Sequence, residues 1–197
     1  KNIFDNEGKL ITVKSGAVTL AGARVVQNKA VNVNLSTWAL ENTTTSSGIT
    51  DAEGGTTAYR ITENASNTSH DIYILNEALT GYLHYDTVSF MAKAGTASYV
   101  WHLSITVAGS PRGGCAVWDL VNGTATSSNG SVSDYGIVDE GGGWCRCWVT
   151  TPALGAGIHY AVIGICDRAT PSYTNNSPNP YLGTSKYLDV YDYQLEQ

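Results

Sequence analysis

No stretch of this chain sustains a helical period, whereas strand-like runs of six to ten residues recur between positions 57 and 195, each closed by Gly, Asn, Ser or Pro. They read "TAYRIT" (57–62), "HDIYIL" (70–75), "DTVSFMAKAG" (86–95), "YVWHLSITV" (99–107), "CAVWDL" (115–120), "WCRCWVTT" (144–151), "HYAVIGICD" (159–167) and "YLDVYDYQL" (187–195). Strands without helices must bury their apolar faces sheet against sheet. The expected fold is therefore all-β, an antiparallel two-sheet β-sandwich of jelly-roll type. Composition agrees, because only 14 % of the 197 residues are charged while Gly (21) and Tyr (12) are plentiful, a balance that favours strands and turns.

The first thirty residues read as a polar lead-in with a strand or two, a connector from something upstream. The regular pattern starts at Val31, so two segments are expected: 1–30 as connector and 31–197 as the sandwich domain. In "YVWHLSITV", Tyr99, Trp101, Leu103, Ile105 and Val107 alternate with His102, Ser104 and Thr106. The first set is expected in the core and the second on a wet face. "TPALGAG" is expected to close a hairpin between strands 144–151 and 159–167, and the long loop 168–186 is a candidate for function. A net charge of −6 argues against a nucleic-acid partner, and no apolar run approaches a membrane span.

The stretch "GGGWCRCWVT" (141–150) carries the densest chemistry. On a strand, Trp144, Arg146 and Trp148 share one face, and Cys145, Cys147 and Val149 share the other. Cys145 and Cys147 are too parallel to bridge each other. The paired knuckle spacing of a zinc site is absent, which favours buried thiols, then a bridge to Cys115 or Cys166, with a metal site as the remaining alternative.

Several motifs, in order, resemble a domain common in bacteriophage tail and tail-fibre proteins: "NVNLSTWALENTT", "SFMAKAG", "VWDLVNGTATSS" (with Trp118 where Phe is usual), "GGGWCRCWVT" and "YDYQLEQ". They span about residues 31–197. The resemblance implies a concanavalin-like jelly roll related to the family 4/9-type carbohydrate-binding modules, on viral or bacterial proteins that touch glycans. Cys145 stands where the pattern has Tyr, Trp148 where it has a small polar residue, and Asp192-Tyr193 where it has Gly-Ala. The resemblance also implies a structural calcium between the first and last strands, for which Asp192 and Glu41 are the candidate oxygen ligands.

Sugar recognition uses flat aromatic rings for the C–H face of a pyranose and planar polar groups for its hydroxyls. Trp144 and Trp148 with Arg146 between them offer both along about 14 Å of strand. Structural cover of the sheet competes as a reading of Trp144 and Arg146. His102 on its wet face, and Tyr173 and Tyr181 among loop asparagines, are further ligand candidates. Trp101 and Trp118 are expected in the core, and Trp38 at one end of the sandwich.

No catalytic motif is present, and Asp189 and Asp192, three apart, face oppositely on a regular strand, which is the wrong layout for a glycosidase pair. The expectation is a non-catalytic carbohydrate-binding module for a polysaccharide or cell-surface glycan, beside neighbouring virion or enzyme modules, on a virion tail or extracellular. A structural tail or virion-decoration domain without a sugar ligand is the first rival, and a glycan-degrading enzyme domain the second.

Overall fold

A computed structural model describes residues 3–4, 10–11, 31–32, 35–76, 86–106, 112–152 and 159–196. The strands are β1 (Ile3–Phe4), β2 (Leu10–Ile11), β3 (Val31–Asn32), β4 (Ala39–Glu41), β5 (Thr43–Ile49), β6 (Ala58–Glu63), β7 (Asn67–Thr68), β8 (Asp71–Asn76), β9 (Asp86–Ala94) and β10 (Tyr99–Thr106). They continue as β11 (Arg112–Asp119), β12 (Thr124–Gly130), β13 (Asp134–Gly141), β14 (Trp144–Thr151), β15 (His159–Cys166), β16 (Tyr173–Thr174), β17 (Ser177–Pro178), β18 (Tyr181–Leu182) and β19 (Tyr187–Glu196). Among the described residues the helical content is one 3-10 turn, Leu35–Thr37, and no helix is long and apolar enough to cross a membrane. Apart from β1 and β2, which pair with each other, the connector expected over 1–30 lies outside the described residues.

Two antiparallel sheets form a jelly-roll sandwich. Sheet I has the order β12-β11-β10-β15-β8-β4, and sheet II the order β13-β14-β9-β19-β6-β5 with β3 joining the far end of β19. Val100, Trp118, Ile163 and Ile165 of sheet I meet Phe90, Cys145, Cys147, Val149, Leu188 and Val190 of sheet II in the main core. The hairpin expected between strands 144–151 and 159–167 does not form. β14 lies between β13 and β9, whereas β15 lies between β10 and β8 in the other sheet. Each strand turns an apolar face into the shared core from its own sheet, Cys147 and Val149 from sheet II and Ile163 and Ile165 from sheet I, rather than pairing side by side.

The faces of β10 are also reversed from expectation. His102 and Ser104 point inward and are buried, and Trp101 and Leu103 point outward. Trp101 is nonetheless 3 % exposed, because the outer face of sheet I carries a second apolar cluster of Trp101, Leu103, Cys115, Val117, Val162 and Cys166. The segment 167–180 covers it. Thr126 Oγ1 and Ser127 Oγ donate to Ala169 O at 2.7 and 3.2 Å, and Tyr173 packs on the cluster. His102 is tolerated inside as a neutral ring. Its Nε2 lies 3.0 Å from the Tyr193 hydroxyl, its ring sits 5.9 Å from that of Phe90, and burial lowers its pKa to about 3.

Tyr193 reaches that position through a β-bulge. Between Tyr191 and Gln194 the register of β19 against β9 shifts by one residue, and Asp192 takes a left-handed backbone, φ +51°. Asp is among the few residues other than glycine that tolerate this conformation. Tyr191 and Gln194 therefore face outward with Tyr193 between them facing inward, edge-on to Trp38 at 4.9 Å.

All four cysteines are buried free thiols. Cys145 and Cys147 lie in the main core and Cys115 and Cys166 in the outer cluster of sheet I, so a sheet separates the two pairs. Burial raises all of them, Cys166 to about 11, so the thiolate form needed for exchange or metal binding is disfavoured. At the edge of sheet I, Glu41 stands directly across from Asp71. Burial, and then the charge of Glu41, raise Asp71 to about 7.

Two expectations follow. Tyr193→Phe leaves both nitrogens of buried His102 without a partner and should destabilise by about 1–3 kcal/mol in urea unfolding, with the fold retained. Asp71 and His102 should pull stability in opposite directions with pH. Asp71, raised from 3.8 to about 7 in the fold, contributes stability that is lost as pH rises through that interval. His102, lowered from 6.5 to about 3, contributes stability that is lost as pH falls through its interval. Between about pH 4 and 6.5, Asp71→Asn should therefore make stability rise with pH relative to wild type, and His102→Phe should make it fall. Parallel profiles for wild type and both variants would refute this.

Candidate functional site

The outer face of sheet II gathers the polar and aromatic groups. Its rows follow from antiparallel register. Trp148 lies across from Ser89, which lies across from Gln194; Arg146 across from Met91, then Tyr191; Trp144 across from Lys93, then Asp189, then Arg60. Trp148 and the Lys93 row are thus separated by about 13 Å along the strands.

Trp148, Arg146 and Trp144 do share this face, as alternation requires, but they are not equivalent. Trp148 is half-buried, and its ring lies on Gly136 of the neighbouring strand β13. A Cβ at Gly136 would come within 2.6 Å of that ring, so glycine is what lets the indole lie across the edge strand. Arg146 Nη2 donates to Asp192 Oδ2 at 2.6 Å and Nη1 to Ser89 Oγ at 3.4 Å. Gln194 Nε2 donates to Asp192 Oδ1 at 2.8 Å.

Trp144 is only 3 % exposed, which removes it from the stacking role expected of it. It packs with Ala58, Met91 and Tyr191, edge-on to the Tyr191 ring at 4.8 Å. The cover is the loop 50–57. Ala52 N donates to Tyr191 Oη at 3.3 Å, and Tyr191 Oη donates to Glu53 Oε2 at 2.8 Å. Asp51 holds this loop in shape: its carboxylate accepts from Glu53 N, Gly55 N, Thr57 N and Thr57 Oγ1, and the Thr57 hydroxyl leads the hydrogen bonds that keep its pKa below the usual value. Burial raises Tyr191 to about 12.

Beyond Trp144 the face opens into a cavity of about 440 Å³. Arg60 Nε and Nη2 donate to Asp189 Oδ1 and Oδ2 at 2.8 and 3.1 Å, and the guanidinium lies 3.8 Å from the centre of the Tyr187 ring. Lys93 Nζ donates to Gly142 O at 2.8 Å and sits 5.8 Å from the centre of the Trp144 ring. Asp189 and Asp192, expected to face oppositely, both point outward, because the bulge at Asp192 breaks the alternation of β19.

The other candidates fall elsewhere. His102 is inside the core, not on a wet face, and reaches no surface. Tyr173 is part of the cover over sheet I, with its hydroxyl on Ser127 Oγ; burial raises it to about 12. Tyr181 donates its hydroxyl to the buried carboxylate of Glu63 and lies edge-on to His70 at 4.9 Å, and burial raises its pKa strongly. Glu63 Oε1 also accepts from Thr184 N and Lys186 N, which pins the end of the 168–186 loop to sheet II. Asn175 and Asn176 take left-handed backbones in a turn between β16 and β17, and Asn176 Nδ2 donates to Gly113 O at 3.2 Å.

The two residues expected to hold calcium are not brought together. Glu41 lies in sheet I, Asp192 lies on the outer face of sheet II, and both oxygens of Asp192 are engaged by Arg146 and Gln194. Among the described residues no three His, Cys, Asp or Glu side chains gather as a metal site.

Sequence reasoning missed Arg60, Lys93, Tyr187 and Tyr191 as site residues. Part of the signal was there: Tyr187, Asp189 and Tyr191 alternate in "YLDVYDYQL" and must share a face. What was not readable is that β9 places this face beside that of β14.

No protein-family model and no curated protein matches the chain. Among solved structures it is similar to the enzymatically active domain of tailspike protein 4 of bacteriophage CBA120, with a TM-score of 0.47 and 10 % identity over 82 % of this chain and 19 % of that one. It is also similar to the CBM22-1 xylan-binding domain of Xyn10C from Paenibacillus barcinonensis, with a TM-score of 0.47 and 8 % identity over 81 % of this chain and 84 % of that one. A third similar structure is TmCBM61 in complex with β-1,4-galactotriose, with a TM-score of 0.45 and 10 % identity over 82 % and 89 % of the two chains.

Proposed function

We propose that the chain is a non-catalytic carbohydrate-binding module whose ligand, a polysaccharide or cell-surface glycan, lies along the outer face of sheet II. The carrying observation is the layout of that face. A partly exposed tryptophan stands at one end, a 440 Å³ cavity with an arginine stacked on a tyrosine at the other, and planar polar groups between them. A pyranose needs a flat apolar surface and in-plane hydrogen-bonding groups. Trp148 supplies the surface, and Arg146 and Gln194 supply N–H groups beside it. Trp144, buried against Tyr191, packs beneath the covering loop and offers no surface to the ligand.

Binding without catalysis fits the carboxylates. Asp189 and Asp192, on the strand crossing this face, each have both oxygens accepting from Arg or Gln donors, so neither is poised as a proton donor to a glycosidic oxygen. An open face of this kind binds weakly, on the order of micromolar to millimolar, and gains avidity from repetition on a fibre or a multimodular enzyme. In this reading the module works where glycans are met, on a virion tail or outside a cell.

Calorimetry and tryptophan fluorescence over a panel of soluble neutral and acidic polysaccharides test this. One class should bind, and Trp148→Ala should weaken it by about tenfold, the scale of one lost aromatic stack, with the melting temperature kept. A folded protein that binds no polysaccharide at millimolar sugar would instead favour the structural virion-module reading.

A further inference from the structure

We infer that the cavity at the Arg60–Lys93 end of this face takes the carboxylate of a uronic-acid residue, so that the ligand is an acidic glycan. This rests on the glycan-binding reading above and names the ligand class within it.

The argument is a count of charges and donors. Ile49, Arg60, Lys93, Gly95, Tyr187 and Asp189 line the cavity, whose volume of about 440 Å³ is within the usual span of small-ligand sites. It holds two cations and one anion. Asp189 is neutralised by Arg60 through two hydrogen bonds. The acids of the covering loop keep their charge but do not line the cavity; Glu53 is turned to the Tyr191 hydroxyl and Asp51 to four donors of its own loop. Lys93 has no ion pair among the described residues; its partners are a backbone carbonyl and an aromatic ring. The unmatched charge in the cavity is therefore the positive one on Lys93.

The cations of the cavity also keep unused N–H donors. An ammonium has three N–H donors and Lys93 uses one. Arg60 Nη1 has no partner among the described residues, whereas both oxygens of Asp189 already accept. A sugar hydroxyl could pair with these donors, with the remaining lone pairs of Asp189 or with the hydroxyls of Thr50 and Tyr187, but it brings no charge to match Lys93. A carboxylate offers acceptors and a negative charge, which matches both. The chain as a whole carries −6, but at physiological salt charges farther than about 8 Å are largely screened, so the contact cation dominates. The opposite end of the face lacks this bias, since Arg146 is paired with Asp192.

The test compares polygalacturonate, alginate and hyaluronate with their methyl esters, which keep each backbone and remove the charge. At low salt at least one acid should bind tenfold or more tighter than its ester. That ratio should fall toward one with Lys93→Gln and should shrink as salt is raised. If acid and ester bind equally, or a neutral glycan binds and no uronate does, the glycan-binding reading stands and this inference is overturned. If κ-carrageenan, sulfated and free of uronate, binds while the uronates do not, the carboxylate assignment is overturned in favour of sulfate. If no polysaccharide of either kind binds the folded protein, both readings fall.

Discussion

One extra residue in β19 organises much of this molecule. Without the bulge at Asp192, alternation from Leu188 and Val190 inward would bring Asp192 and Gln194 into the core and leave Tyr193 outside. With it, Tyr193 enters the core and closes an aromatic cluster with Trp38, Phe90 and His102. The same step turns Asp192 and Gln194 outward, where Asp192 meets Arg146. A left-handed backbone at one aspartate is thus linked both to burial of a histidine and to the polar layout of the candidate site.

The second constraint is that neither sheet is apolar on one side alone. Strand β10 carries Val100 inward and Trp101 and Leu103 outward, and β14 carries Cys147 and Val149 inward with Trp144 outward. Water would face these outer clusters unless something lay on them, and two irregular segments do so: 167–180 over sheet I and 50–57 over sheet II. The first draws Tyr173 into packing, and its continuation ties Tyr181 to Glu63. The second is why Trp144 is buried while Trp148, beyond its reach, stays partly exposed. Burial of apolar area, at about 25 cal/mol per Å², is the drive that recruits these segments, and the hydrogen bonds of Asp51, Thr126 and Ser127 fix where they sit.

Much of the central framework was legible beforehand because a period of two with apolar residues on at least one face has few alternatives. Among the strands missed were β5, β12 and β13, whose sequences "TTTSSGI", "TATSSNG" and "DYGIVDEG" hold few apolar residues. Each lies at an edge of its sheet, where backbone pairing to one neighbour holds a strand whose side chains bury little. The site was legible only in part. Trp144, Arg146 and Trp148 were placed on a common face by spacing alone, but Arg60, Lys93 and Tyr187 join them through strands distant in sequence.

By itself the sequence determined the strand-and-turn class and the alternating faces of each long strand, since these depend on spacing and composition. Tertiary structure decided which face of β10 is the inside, which sheet each of β14 and β15 joins, and which of two tryptophans stays partly exposed. The physical reason is that alternation is symmetric. A strand with apolar residues on both faces can point either one inward, and the choice rests with what packs on it from elsewhere in the chain: a bulged strand at one end, a docked loop at the other.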